Sequence, residues 1–98
     1  MNRDIGDDLD PIIHPLQRLR ICALLEPVTE EEFTTIRDLI GISDSALSKQ
    51  ISTLVDAGYV EQRRATKAGR RRLWLRLTAE GRVALLRHVA ALRAIVER

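Results

Sequence analysis

Ser45, Ser48, Lys49 and Ser52 recur at intervals of three and four residues. In a helix turning about 100° per residue they share one face, opposite a stripe of Leu47, Ile51 and Leu54. Serine is a poor choice for helix propensity. Short hydroxyls and one ammonium can, however, come close to an oxygen-rich surface and donate hydrogen bonds to it. Within residues 58–76, Arg63, Arg64, Lys67, Arg70, Arg71, Arg72 and Arg76 stand against Glu61 alone, a local charge of +6 in a chain whose net charge is only +2. A block of that size is the electrostatic footprint of a polyanion partner. Read singly, the serine face is an ordinary exposed surface and the basic run a solvated loop. Read together, they point to a binding surface.

Other chemistries find little support. There is no Ser/His/Asp set, no metal-ligand spacing and no phosphate-cradling glycine loop. No catalytic residues, metal or cofactor are therefore expected. Cys22 is the only cysteine, and His14 and His88 lie far apart in the chain. Cys22 reads as a core residue, with a redox-sensing thiol as the alternative. His88 reads as an exposed or interface residue. Phe33, Tyr59 and Trp74 are the only aromatics, too few for a stacking platform for single strands. Met1–Asp10 carries net charge −3 and lacks the order of a signal peptide. No apolar run approaches the ~20 residues that span a bilayer. The expected setting is cytoplasmic, with no membrane partner.

The elements that must position these residues read as one domain, mainly α with a small β-hairpin, in the order α-α-α-β-β-α. Residues 1–10 are expected to be a flexible acidic N-terminus and 11–98 the folded domain. A first helix spans about 13–26, with Pro15 in its first turn, and ends before Pro27. Phe33 falls on a short extra strand. Thr34 or Thr35 caps a second helix, about 34–40, which Gly41 stops. Ser43 caps a third helix, about 43–57, with Asp44 at its positive end. Tyr59–Arg63 and Arg71–Leu77 form a hairpin around a turn at Ala65–Arg70, with Leu73, Leu75 and Leu77 on one side. Thr78 caps a last helix, about 79–96. Gly41, Gly58, Gly69 and Gly81 each read as element boundaries. Two short helices joined tightly through Gly41 and Ile42 are a helix-turn-helix signature.

The stretch from Ile36 to Val60, the junction Leu75-Arg76-Leu77-Thr78-Ala79-Glu80-Gly81-Arg82 and the opening His14-Pro15-Leu16-Gln17-Arg18-Leu19-Arg20-Ile21 together resemble winged helix-turn-helix regulators of the MarR and ArsR kind, closest to their compact DNA-binding subgroup. The resemblance covers nearly all of residues 11–96. It implies sequence-specific binding of double-stranded DNA by a transcriptional regulator, with the third helix in the major groove and a basic wing, about 63–72, on the backbone or in the minor groove. The DNA-facing residues it implies are Thr34, Thr35, Ser43, Asp44, Ser45, Ser48, Lys49, Ser52, Arg63, Arg64, Lys67, Arg70, Arg71 and Arg72. The paired cysteines or His/Asp clusters of ArsR metal sensors are missing here. The chain is also shorter than full-length MarR proteins, so the resemblance assigns no effector pocket.

In the last helix Leu85, Val89, Leu92 and Val96 follow a near-heptad spacing. They are expected to form a homodimer interface, joined by Ile12 and Ile13; the competing expectation is that this helix folds back on the first. A dimer would meet a pseudo-palindromic operator, most simply as a repressor. The alternative function is a winged helix used for protein–protein contact or assembly.

Overall fold

The computed structural model describes residues 8–97. Its elements are α1 (Leu16–Leu25), β1 (Glu31–Glu32), α2 (Phe33–Ile40), α3 (Asp44–Asp56), β2 (Val60–Lys67), β3 (Arg70–Leu77) and α4 (Ala79–Val96). The three strands form one antiparallel sheet in the order β1-β3-β2. This is the winged-helix arrangement expected from the sequence. No helix of the described residues is long and apolar enough to cross a membrane.

The core gathers one face from every helix. Ile21, Cys22 and Leu25 of α1, Ile36 and Ile40 of α2, Leu47, Ile51 and Leu54 of α3, and Val60, Leu75 and Leu77 of the hairpin form one buried cluster. Each fully buried Leu or Ile contributes about 1.5–3 kcal/mol by leaving water. Gly41 ends α2 at φ +79°, in the left-handed region, and its N–H donates to Arg37 O at 2.8 Å. Ser43 then caps α3, its Oγ accepting from Ala46 N at 3.1 Å. Thr78 caps α4 in the same way through Gly81 N at 2.9 Å and donates its own hydroxyl to Gly58 O at 2.7 Å.

Several expectations need correction. Phe33 is not on the extra strand, which is Glu31–Glu32; Phe33 opens α2. Glu32, with extended backbone, occupies the N-cap of α2, so neither threonine does. Pro15 is the N-cap of α1 rather than part of its first turn. The hairpin turn shrinks to Ala68 and Gly69, both at positive φ (52° and 75°). A two-residue turn of that kind matches the twist of paired strands, so both strands run longer than expected. Gly81 lies inside α4, where it is a contact rather than a boundary. A Cβ there would sit 2.2 Å from Tyr59 O, so only glycine lets the helix approach the start of β2.

The N-terminal segment supplies a second correction. Residues 1–7 of the expected flexible tail lie outside the described residues, but Asp10 is a hub. Its carboxylate accepts from Ile12 N (2.8 Å) and Ile13 N (3.3 Å) through Oδ1, and from the Tyr59 hydroxyl (2.6 Å) through Oδ2. Its own N–H donates to His88 Nδ1 at 2.9 Å. This fold-back drives Ile13 fully into the core and leaves Ile12 half-buried. Leu85 is likewise buried, with Val89 and Leu92 half-buried; Val96 alone of the expected seam is widely exposed. Ile13 and Leu85 are therefore taken up in this chain's own core rather than offered at its surface. The reason is that α4 turns Leu85 and Val89 toward the core, and α1 packs against α4.

His88, expected at the surface, is completely buried. Its ring meets His14 edge-on at 5.3 Å between centroids. Because Nδ1 accepts a hydrogen bond, the neutral ring carries its proton on Nε2, which has no partner among the described residues. Burial, and then the neighbouring His14, hold this imidazole below the usual histidine pKa, against an opposing pull from Asp10. Burial also pushes the Cys22 thiol up to about 12, with Asp10 adding to the effect. Cys22 is thus a protonated core thiol, which fits the core reading rather than a reactive one.

The His88 environment has a pH consequence. The unfolded chain takes up a proton near the ordinary histidine value of about 6.5, where the folded chain resists it. This stabilisation is complete above that pH and is lost as pH falls through it toward the lower folded value. The urea midpoint is expected to fall between about pH 7.5 and about pH 5.5. His88→Asn, whose amide oxygen can accept from Asp10 N, is expected to flatten that dependence. A wild-type midpoint indifferent to pH over this range would contradict the assignment.

Candidate nucleic-acid interface

The geometry of the outer face of α3 follows from its buried one. With Leu47, Ile51 and Leu54 inside, Ser45, Ser48, Lys49 and Ser52 are all exposed. Ser43 and Asp44, expected among the ligand-facing residues, already have structural partners. Ser43 Oγ caps the helix and lies 3.3 Å from Ser45 Oγ. Asp44 accepts from Arg37 Nη1 at 2.8 Å, and Arg37 also holds Asp38 at 2.9 Å. These two carboxylates raise the Arg37 pKa further. Arg37 therefore fastens α2 to the first turn of α3. On the other side Arg18 of α1 donates to Gln50 Oε1 at 2.8 Å and to Ile12 O at 2.5 Å. The helix is held from both neighbours, while its hydroxyls and ammonium stay in solvent.

At the start of α2, Thr34 is exposed and Thr35 half-buried. Their backbone N–H groups lie in the first helical turn, whose donors lack intrahelical partners. The Thr34 hydroxyl leans back on Glu32 Oε2 at 3.4 Å.

The register of the hairpin sorts its cations onto two faces. Residues directly opposite one another share a face, and successive residues alternate. Val60 pairs with Leu77, Gln62 with Leu75, Arg64 with Leu73 and Thr66 with Arg71. This is the face that covers the helices near its base. Farther out it carries Arg64, Thr66, Arg71 and Leu73, which line a groove of about 470 Å³. The opposite face carries Arg63 opposite Trp74, Ala65 opposite Arg72 and Glu61 opposite Arg76. All three of its arginines up to Arg72 are paired. Arg63 donates to both carboxylate oxygens of Glu30, at 2.5 and 3.3 Å, and stands 5.7 Å over the Trp74 ring. Arg72 pairs with Glu32, and Arg76 with Glu61 at 2.9 Å.

Of the basic residues expected to meet a polyanion, Arg63 and Arg72 are thus already paired with carboxylates of the same chain. Arg64, Lys67, Arg70 and Arg71 are exposed and make no ion pair among the described residues. The acidic partners were missed in the sequence. The available signal was the run Glu30-Glu31-Glu32 ahead of an arginine-rich hairpin. Nothing in its spacing says that a third strand brings the two together.

A family model for the winged helix DNA-binding domain matches residues 17–96. The chain belongs to that family. An uncharacterised protein of Methanocaldococcus jannaschii is 27% identical to this winged-helix domain over 78 residues, covering 80% of this chain and 85% of that one. A transcriptional regulator homologue from Pyrococcus horikoshii superposes with a TM-score of 0.85 at 24% identity, covering 95% of this chain and 90% of that chain. A possible transcriptional regulator for arsenical resistance is 30% identical, with a TM-score of 0.61, over 93% of this chain and 81% of that chain. The winged-helix DNA-binding resemblance read from the sequence holds against the family match.

The sorting of cations in this winged-helix domain is open to a stability test. Arg70→Ala with Arg71→Ala removes no side-chain hydrogen bond or ion pair among the described residues and is expected to leave the thermal midpoint within about 3 °C. Arg72→Ala strands the largely covered Glu32 carboxylate and is expected to lower it by about 5 °C. Equal effects of the two changes, read by circular dichroism, would contradict the sorting.

Proposed function

We propose that this winged-helix domain binds double-stranded DNA sequence-specifically as a homodimeric transcriptional regulator, acting as a repressor by occupying its site. The observation that carries the proposal is the coincidence of two exposed donor sets on adjoining elements. One is Ser45, Ser48, Lys49 and Ser52 on α3; the other is Arg64, Lys67, Arg70 and Arg71 on the hairpin that α3 runs into through Gly58. In this reading α3 enters the major groove and its short side chains reach base edges and nearby phosphates. The hairpin lies along the backbone or in the minor groove. Thr34 and Thr35 offer their first-turn N–H groups to a phosphate. Ser43 and Asp44 orient α3.

The dimer we propose uses a face of α4 one step round from the stripe expected from the sequence. Ala79, Val83, Leu86 and Ala90 are all exposed and are spaced four, three and four residues apart. Val83 and Leu86 keep 55% and 59% of their surface in solvent, which is the spacing and exposure of a helix seam awaiting a partner. Two-fold pairing would present two α3 helices to half-sites about one turn of DNA apart. The same apolar stripe also supports the second reading, an assembly module. That reading makes the cations dispensable, whereas DNA binding does not.

Selection of bound duplexes from a random pool at moderate salt tests the function. It is expected to enrich a two-fold symmetric site and to lose that enrichment when Arg70 and Arg71 are changed to Ala. Lys49 and the four free hairpin cations set the upper limit of the salt response, about −4.5 per protomer in log K against log salt. Recovery of no preferred duplex would overturn the reading. The dimer is tested by Leu86→Glu, which is expected to sediment as a monomer and to bind the selected site roughly 100-fold more weakly. A dimeric Leu86→Glu protein would show that this face is not the seam.

A further inference from the structure

We propose that Glu30 and Glu32 are positioning residues for DNA binding: they clamp the middle of the β2–β3 hairpin, at Arg63 and Arg72, and so fix where its free cations meet the phosphate backbone. This inference rests on the DNA-binding reading above. It assigns a favourable role to two carboxylates that simple electrostatics would count against a polyanion ligand.

The hairpin is a cantilever. Its third strand, β1, is two residues long and pairs only Glu31 with Leu75 and Glu32 with Trp74. Beyond Trp74, toward the turn, the β2–β3 ribbon has no further strand beside it among the described residues. The domain measures 58 Å along its longest axis against 25 and 22 Å across. A two-stranded ribbon with one apolar edge is free to bend and twist at its root. Something other than the sheet must set its angle.

The two carboxylates are placed to do this. Glu32 sits opposite Trp74 and pairs diagonally with Arg72, two residues nearer the tip. Glu30 spans past β3 to grip Arg63 of β2 with both oxygens. Trp74 lies between them, opposite Arg63 in register and under its guanidinium. The result is two braces on the face away from the helices, one from β1 to β3 and one from just before β1 across β3 to β2. Exposed ion pairs are commonly weak because two long side chains must be ordered and water screens them. Here the Glu32 side chain is only 21% exposed and that of Arg72 31%. Arg72 Nε is buried without a hydrogen-bond partner among the described residues, so this guanidinium stays where packing and Glu32 hold it. A fork of donors gripped by two oxygens also carries angular information that a point charge does not.

Two effects of opposite sign follow from removing these acids. Electrostatics alone predicts tighter DNA binding, since two negative charges leave the vicinity of the ligand and two arginines are released to pair with phosphates. That outcome would also steepen the salt dependence by about 0.9 for each arginine recruited. Positioning predicts weaker binding, because a hairpin that samples many angles must be ordered on the DNA and its four free cations reach their phosphates only part of the time.

The experiment uses the full chain carrying Glu30→Gln and Glu32→Gln, changes that keep shape and remove charge. Backbone amide order parameters of Thr66–Arg71 are measured without DNA, and affinity for the wild-type selected duplex is measured across a salt series. The expected result is lower order parameters in that segment, with α3 unchanged, and binding weakened about tenfold with no steeper salt slope. Unaltered order parameters, or equal or tighter binding, would overturn the proposal. If the double variant does not fold, the Glu30→Gln variant alone is read by the same two measurements. If the wild-type chain selects no duplex, the DNA-binding reading fails, while the order parameters still decide whether the clamp exists.

Discussion

The left-handed turn at Gly41 decides which side of α3 meets solvent. Gly41 N–H closes α2 on Arg37 O, Ile42 carries the chain across, and Ser43 opens α3 by accepting from Ala46 N. From that start the spacing of Leu47, Ile51 and Leu54 turns one stripe into the core, and Ser45, Ser48, Lys49 and Ser52 are outside by default. A residue with a Cβ at Gly41 would be strained at φ +79° even though the space around it is open. Arg37, shared between Asp38 and Asp44, then fixes the angle between the two helices. The donor face thus comes from a short corner whose parts are mostly not donors to any ligand.

The remainder of the molecule keeps that corner steady. Arg18 ties α1 to Gln50 on α3, and Asp10 gathers the N-terminal segment, β2 and α4 through Ile12, Ile13, Tyr59 and His88. The hydrogen bond to Asp10 also pushes the Tyr59 hydroxyl up to about 12, so it remains a donor across the ordinary pH range. Gly81 lets α4 lie close against the backbone of Tyr59. The hairpin is then divided by its register into a face whose cations are balanced by Glu30, Glu32 and Glu61 and a face and tip whose cations are not. Charge is present throughout this segment, but only part of it is free for another molecule.

How much of this was legible in the sequence depends on the range of the interaction. Local rules read well: the left-handed stop at Gly41, the caps at Ser43 and Thr78, the apolar stripe of α3 and the alternation of Leu73, Leu75 and Leu77 all appear in the structure. Each depends on residues within one or two turns of chain. Long-range pairing did not read. Glu30 meets Arg63 and Glu32 meets Arg72 only because β1 docks on β3, and two-residue strands carry almost no periodic signal. His88 looked like a surface histidine because its partners, Asp10 and His14, are more than seventy residues away in sequence. The stripe Leu85, Val89, Leu92 was seen correctly as apolar, but Leu85 lies in the chain's own core with Val89 packed against it, since heptad spacing cannot tell a partner helix from the core of the same chain.

In the proposed function one surface, made of the outer face of α3 and the free cations of the hairpin, receives duplex DNA. Amide chemical-shift mapping on addition of the selected duplex tests it most directly. The largest changes are expected on residues 45–52 of α3 and 64–71 of the hairpin, with smaller ones at Thr34 and Thr35. Changes centred instead on the exposed stripe of α4, or spread evenly over the chain, would contradict it.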